Sequence, residues 1–216
     1  MKKRYIVLMI LMFSFAFKNS TIDYFPLFGK TILIDVGHGD EDPGSVIGEN
    51  HEKDYNLMLA KTLSTTLTKN GATVVLIRDG DYDLASPSAT HRKKNDFNNR
   101  IKLINQSSGD LFISLHMNYL NATEYHGAQV FYSKVNSSNQ TIAEILQENL
   151  NTFLNTNKET KSIGDDKYMY DKIKITGVLL EYGFISNAQD RLNIKSEEYR
   201  KNLSEVITNA LITYFT

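Results

Sequence analysis

Short apolar runs alternate with stretches of helical periodicity along most of this chain, and that alternation restricts the fold more than any other property of the sequence. The runs Thr31 to Val36, Thr73 to Arg78, Asp110 to Leu115, Gly127 to Tyr132 and Val178 to Tyr182 are rich in β-branched and apolar residues and too short for ordinary helices. Between them Leu57, Ala60, Leu63 and Leu67 recur at helical spacing until Gly71 stops the pattern. Phe97, Ile101 and Ile104 repeat that spacing, as do Ile142, Ile145, Leu146, Leu150 and Phe153, and then Tyr199, Leu203, Val206, Ile207, Ala210 and Leu211. Strands separated by helices predict an α/β fold: a single domain whose mostly parallel, twisted sheet carries helices on both faces. A chain of 216 residues is long enough for one such domain with a substantial core and short for two. Asn155 to Lys172 is polar and charged, which predicts a surface loop, in part helical, over or near whatever site the strand ends carry.

The N-terminus follows different rules. Met1-Lys-Lys-Arg4 precedes an apolar run from Tyr5 to Phe17 and then polar Lys18-Asn19-Ser20, the pattern of an export segment. The run is shorter than the roughly 20 apolar residues of a comfortable membrane span. Residues 1–20 are therefore expected to be a signal peptide, with Ser14 and Ala16 as a small-x-small cleavage site, or an N-terminal membrane anchor. Residues 21–30 are expected to be a tether, and the rest of the chain to be exported, secreted or membrane-anchored. A net charge of −1 and no long basic run argue against nucleic acid as a partner. The chain has no cysteine, which excludes disulfides, cysteine metal clusters and a cysteine nucleophile. No G-x-S-x-G elbow is present for a serine hydrolase.

Four polar residues stand beside the apolar runs: His38 in I-D-V-G-H-G-D, Glu52 in H-E-K-D, His116 in F-I-S-L-H-M-N and Glu181 in G-V-L-L-E-Y-G-F. Two imidazoles and a carboxylate are the ligand chemistry of catalytic zinc, which keeps a fourth position open for water. His38, Glu52 and His116 supply that set. Singly each has a plainer reading: His38 as a backbone-bonded turn residue, Glu52 as a carboxylate at a helix N-terminus, and His116 as a core histidine. Glu181 is harder to dismiss, because an unpaired charge inside an otherwise buried strand is costly. It is the candidate for moving protons. His51 is a second-choice ligand, and His91 and His126 sit in polar loops.

Taken in order, these segments resemble the zinc-dependent N-acetylmuramoyl-L-alanine amidases of bacterial cell walls. The resemblance runs from Thr31 to Thr216 and rests on Asp35-Val-Gly-His-Gly-Asp-Glu-Asp-Pro-Gly-Ser45, on H-E-K-D-Y-N-L from His51, on F-I-S-L-H-M-N, and on L-L-E-Y-G-F-I-S-N. It makes residues 31–216 the catalytic domain and places the carboxylate ligand at Glu52. Arg100 and Asn105 in N-N-R-I-K-L-I-N resemble the family's arginine and asparagine. The activity implied is zinc-dependent hydrolysis of the amide joining N-acetylmuramic acid to L-alanine in peptidoglycan, with Glu181 shuttling the proton. Asn118 and Arg100 are the expected substrate contacts. Val36 and Asp40 depart from the family's usual residues without removing a ligand.

Length and the G-A-Q-V-F-Y and L-N-T-N-K-E-T-K stretches resemble the sporulation and germination amidases of spore-forming bacteria. That subgroup implies action on spore cortex toward muramic-δ-lactam, together with a partner deacetylase and an accessory protein. Two other readings compete: a zinc exopeptidase using Arg78, Arg92 or Arg100 to anchor a terminal carboxylate, and an inactive wall-binding module, which would require a missing ligand or catalytic carboxylate.

Overall fold

A computed structural model describes residues 25–164 and 169–216 of the chain. The export segment expected over residues 1–20 lies outside the described residues. Thr31–Val36 forms β1, and the short strands Val46–Ile47 (β2) and Asn50–His51 (β3) pair as a hairpin that the apolar pattern did not reveal. Helix α1 follows at Glu52–Lys69, then β4 at Thr73–Leu76, α2 at Arg92–Gln106, and β5 at Leu111–Asn118. The second half contains β6 (Gln129–Tyr132), α3 (Ser137–Leu154), β7 (Lys161–Ser162), β8 (Gly177–Phe184), α4 (Ala188–Lys195) and α5 (Glu197–Phe215).

The main sheet has the order β4-β1-β5-β8-β6-β7. Strands β4, β1, β5 and β8 run parallel, while β6 is antiparallel to β8. The expected α/β domain with a mostly parallel sheet is what the chain forms. Because side chains alternate across a strand, each face of the sheet takes every second residue. Ile32, Ile34 and Val36 of β1, Leu111, Ile113, Leu115 and Met117 of β5, and Val178, Leu180 and Tyr182 of β8 join one apolar core with residues of α1, α3 and α5. Leu33, Phe112, Ile77 and Ile104 form a smaller core on the opposite face, with Met169 and Ile173. Toward the strand ends this second face turns polar, through Asp35, Ser114, His116 and Glu181.

Local signals set the helix limits. Asn136 accepts a hydrogen bond from the Ser138 amide at the start of α3, and Ser196 accepts one from Tyr199 at the start of α5. Asn155 closes α3 in the left-handed conformation, with φ 51°. Helix α1 has no side-chain cap: the amides of Glu52 and Lys53 donate to the carbonyls of Ser45 and Pro43. That arrangement leaves the Glu52 carboxylate free to turn away from its own helix.

Three segments differ from expectation. The strand expected over Thr73 to Arg78 stops at Leu76, and Arg78 swings into the protein interior. Phe25 to Lys30 is no loose tether, since Leu27 is fully buried and its amide bonds Asn70 O at 2.9 Å. The polar segment after Leu154 adds the edge strand β7, while its 3-10 turn at Tyr170–Lys172 agrees with a partly helical loop.

Candidate metal centre

The loop after β1 carries His38 into the left-handed region, with φ 62°, a conformation that costs a non-glycine residue about 1–2 kcal/mol. Buried side chains hold it there. Arg78 donates from Nε to Val36 O at 2.9 Å and from Nη2 to Gly37 O at 2.9 Å. Arg100 donates from Nη1 to Val36 O and from Nη2 to His38 O, both at 2.8 Å. All three carbonyls around the turn therefore face guanidinium groups. Gly37 is required for a second reason: a Cβ there would run into the ring of His116. At Gly44, with φ 68°, a Cβ would lie 2.6 Å from His38 Cδ2 and 2.7 Å from Glu52 Oε2.

His116 stands in the polar row of β5 between Ser114 and Asn118, and Glu52 reaches over the strand ends from the first turn of α1. Glu52 Oε1 lies 3.1 Å from His38 Nε2 and 2.9 Å from His116 Nδ1, and it accepts the Met117 amide at 3.1 Å. Its other oxygen accepts the Ser45 amide at 3.0 Å. The imidazole rings meet edge to face with centroids 4.8 Å apart. One ligand atom from each of His38, Glu52 and His116 fits within a 4.8 Å spread, and among the described residues this is the His and carboxylate cluster able to hold a metal ion. Two imidazole nitrogens and a carboxylate oxygen, with Glu52 only 3% exposed, suit zinc.

The electrostatics follow from burial set against hydrogen bonds and neighbouring charge. Burial opposes charge on Glu52, but the hydrogen bonds and charges of His116 and His38 outweigh it and hold the carboxyl far below its usual range. Burial likewise favours a neutral His38, yet its bonds to Asp42 and Glu52 raise it to about 9. Asp42, 2.9 Å from His38 Nδ1, is lowered to about 2 against the effect of its own burial. A carboxylate on the far nitrogen orients the imidazole, as outer partners of metal-binding histidines do.

Glu181 stands beside His116 in the register of β5 and β8 and is 8% exposed. It borders a cleft of about 520 Å³ whose wall includes His38, Glu52, His116, Asn118, Tyr119 and Tyr170, a size typical of small-ligand sites. Asn118 also lines the cleft, while its side chain accepts the Tyr119 amide at 2.8 Å.

Arg100, expected to touch substrate, borders the cleft but is only 2% exposed. Its guanidinium is already bonded to Asp96 at 2.8 Å, to Asp35 at 2.7 Å and to the two loop carbonyls. Beneath the site Asp35 also accepts Ser114 Oγ at 2.6 Å, and Ser114 bonds the Tyr170 hydroxyl at 3.0 Å. Burial would raise Asp35, but Arg100 and Ser114 outweigh it and keep its pKa below the usual value. Asn105 lies elsewhere, bonding Lys172 O and the Lys174 amide. His51 points away and is 3.7 Å from Asp54, and His91 and His126 are exposed.

Several contributing residues escaped the sequence reading. Asn56 bonds Gly37 O and receives the Tyr182 hydroxyl at 2.8 Å. It sits four residues after Glu52, so the two share a helix face, which was a usable signal. Asp42 offered only its place in an acidic loop.

Comparison with known proteins places this geometry. Residues 32–213 match the family described as N-acetylmuramoyl-L-alanine amidase. The germination-specific N-acetylmuramoyl-L-alanine amidase of Bacillus subtilis is 35% identical over 217 residues, covering 96% of this chain and 91% of that protein. Among solved structures, the CwlD amidase of Clostridioides difficile, in complex with the GerS lipoprotein, matches with a TM-score of 0.81 at 30% identity. That match covers 87% of this chain and 98% of the other. An N-acetylmuramoyl-L-alanine amidase from Clostridium difficile 630 matches with a TM-score of 0.75 at 25% identity, over 86% and 96% of the two chains.

Proposed function

The chain belongs to the N-acetylmuramoyl-L-alanine amidase family, and from that premise we propose a zinc-dependent hydrolysis of peptidoglycan with the residues of this cleft in defined roles. His38, Glu52 and His116 hold the zinc, and the reading is carried by the convergence of their three donor atoms within 4.8 Å beside Glu181. The chemistry zinc supplies when bound is Lewis acidity, which polarises an amide carbonyl and acidifies water.

Glu181 takes a proton from the attacking water and delivers it to the departing L-alanine nitrogen, so that the C–N bond breaks as a C–O bond is made. Its place next to His116 in the strand register favours that role. Asn118 contacts amide or sugar groups of the substrate at the cleft wall. Arg100 acts through the loop it holds rather than on substrate. Residues 31–216 are the catalytic domain, and residues 1–20 deliver it across the membrane as a signal peptide or keep it there as an anchor.

Similarity to the germination-specific enzyme of Bacillus subtilis supports a setting in spore cortex, where removal of stem peptides prepares muramic acid for a partner deacetylase and closure to muramic-δ-lactam. The GerS complex of the Clostridioides difficile amidase supports an accessory protein here as well. The exopeptidase reading loses its anchors: Arg78 and Arg100 are buried and bonded to protein acceptors, and Arg92 is paired with Asp40 and Asp83. A wall-binding module without turnover is disfavoured because the ligand set and Glu181 are all present.

The test is digestion of purified peptidoglycan with zinc, followed by mass analysis of the released fragments. Intact stem peptides with a new L-alanine amino terminus are expected. Cuts within the stem, or no product even with zinc and an accessory partner, would overturn the amidase, and cleavage of free tripeptides with none of a muropeptide would favour the exopeptidase.

A further inference from the structure

The end of the sheet remote from the metal centre has a chemistry of its own. Helix α1 starts at Glu52 in the site and ends at Lys69 beside the turn formed by Phe25 to Lys30, where Leu27 bonds Asn70. Eighteen helical residues span about 27 Å at about 1.5 Å each, so the turn and the metal centre lie at opposite ends of the domain. The turn is rigid: Phe28 N bonds Phe25 O at 2.9 Å, Lys30 N bonds Leu27 O at 3.0 Å, and Leu27 is fully buried. With Leu27 fixed in the core, Phe25 and Phe28 project outward, 50% and 81% exposed. Rings held exposed on a fixed turn need a partner more than isolated surface apolar residues do.

The same end is basic. Lys69 closes α1, Lys174 precedes the entry to β8, and Lys134 follows β6, which runs antiparallel and so finishes here; all three are exposed. Asp110 and Asp171 lie among them, accepting hydrogen bonds from Thr31 N at 2.7 Å and Ser133 Oγ at 2.5 Å, and the lysines outnumber them. The loops beside His38 differ: their acidic residues Asp40, Glu41, Asp42, Asp81 and Asp83 are each ion-paired with Lys53, Arg92 or Lys93. Just before Phe25 in the chain stands Met1-Lys-Lys-Arg4 with the apolar run Tyr5 to Phe17.

We infer that this aromatic and basic end of the sheet docks on an anionic phospholipid surface, with the cleft facing away from it toward the wall. The inference deepens the function proposed above and rests on its reading of residues 1–20 as a membrane anchor. Exposed phenylalanines beside lysines are the composition of interfacial lipid contacts, in which the rings enter the headgroup boundary and the lysines meet acidic headgroups. An anchored enzyme that also rests on this face holds its cleft about 27 Å from the bilayer, where glycan strands are reached and lipid is not.

The chain has no tryptophan, so Phe28→Trp gives a single optical reporter, and Leu192→Trp, at a position 62% exposed on α4 near the other end, gives its control. The full chain is reconstituted with phosphatidylglycerol-rich vesicles, floated to score association, and read with and without brominated acyl chains. Flotation of both variants is expected, with bromolipid removing about half of the emission at position 28, because an interfacial ring sits about 5–10 Å deep, and none at position 192. Lys69→Glu with Lys134→Glu and Lys174→Glu is expected to weaken that quenching severalfold. Flotation without quenching at position 28 overturns the docking face while leaving the anchor intact. Absence of flotation overturns both. An emission at position 28 already shielded from a soluble quencher without lipid means that other parts of the chain cover the turn, and this too overturns the inference.

Discussion

The two faces of the central sheet are built by the same strands and do different work. On the face covered by α1, α3 and α5, Leu115 of β5 and Leu180 of β8 are fully buried among aliphatic neighbours. One residue further along each strand, His116 and Glu181 stand on the other face at the border of the cleft. The difference is a pleat with a period of two residues: one set of side chains packs the core, and its neighbours are presented to the cleft, where the proposed chemistry takes place. Polar groups under the site are affordable because they satisfy one another. Asp35, Arg100, Asp96 and Ser114 are all buried, yet each is hydrogen-bonded within the set.

Mutations separate the faces. The largest effect is expected at Glu181→Gln, which keeps shape and removes the proposed proton acceptor: turnover should fall by about 10²–10⁴-fold, with melting temperature and zinc affinity unchanged. Steady-state kinetics beside a thermal melt read both, and unimpaired turnover would remove Glu181 from the mechanism. Arg100→Ala is next, since breaking a buried pair costs about 3–5 kcal/mol, and here it also releases the His38 carbonyl. Denaturant unfolding should show that loss, together with weaker zinc binding in the protein that remains folded.

The same network makes stability acid-sensitive. Asp35 is held below its ordinary value of 3.8, so its contribution is complete above about pH 4 and is lost as pH falls through the folded value. Asp35→Asn is expected to flatten that part of the acid-unfolding curve. The smallest functional effect is expected at Leu180→Ala, on the apolar face. Stability should drop by about 2–5 kcal/mol, while turnover per folded molecule and zinc affinity hold. A comparable loss of turnover there would mean that the two faces are not separable.

Much of this was legible beforehand because the chemistry interrupts strong patterns. The apolar runs located β1, β5 and β8, and His38, His116 and Glu181 were visible as polar residues at or within them. Asp35 in I-L-I-D-V carried the same signal as Glu181, and Ser114, His116 and Asn118 recur at every second position of β5. Their shared face could be read, but their partners could not, since Arg100 is 65 residues from Asp35 in sequence and pairing across that distance is set by the packing of α2. Arg78 looked like the end of a strand and proved to be a buried brace, because a guanidinium offers enough donors to satisfy several carbonyls. The β2–β3 hairpin and α4 escaped notice because neither has an apolar stripe long enough to register.

Zinc titration of the metal-stripped protein decides whether His38, Glu52 and His116 form the proposed centre. One ion per chain is expected, bound through imidazole and carboxylate in the X-ray absorption spectrum, and lost in both His38→Ala and His116→Ala while those variants still melt cooperatively. Undiminished zinc binding in the variant lacking both histidines would place the metal elsewhere and refute that centre.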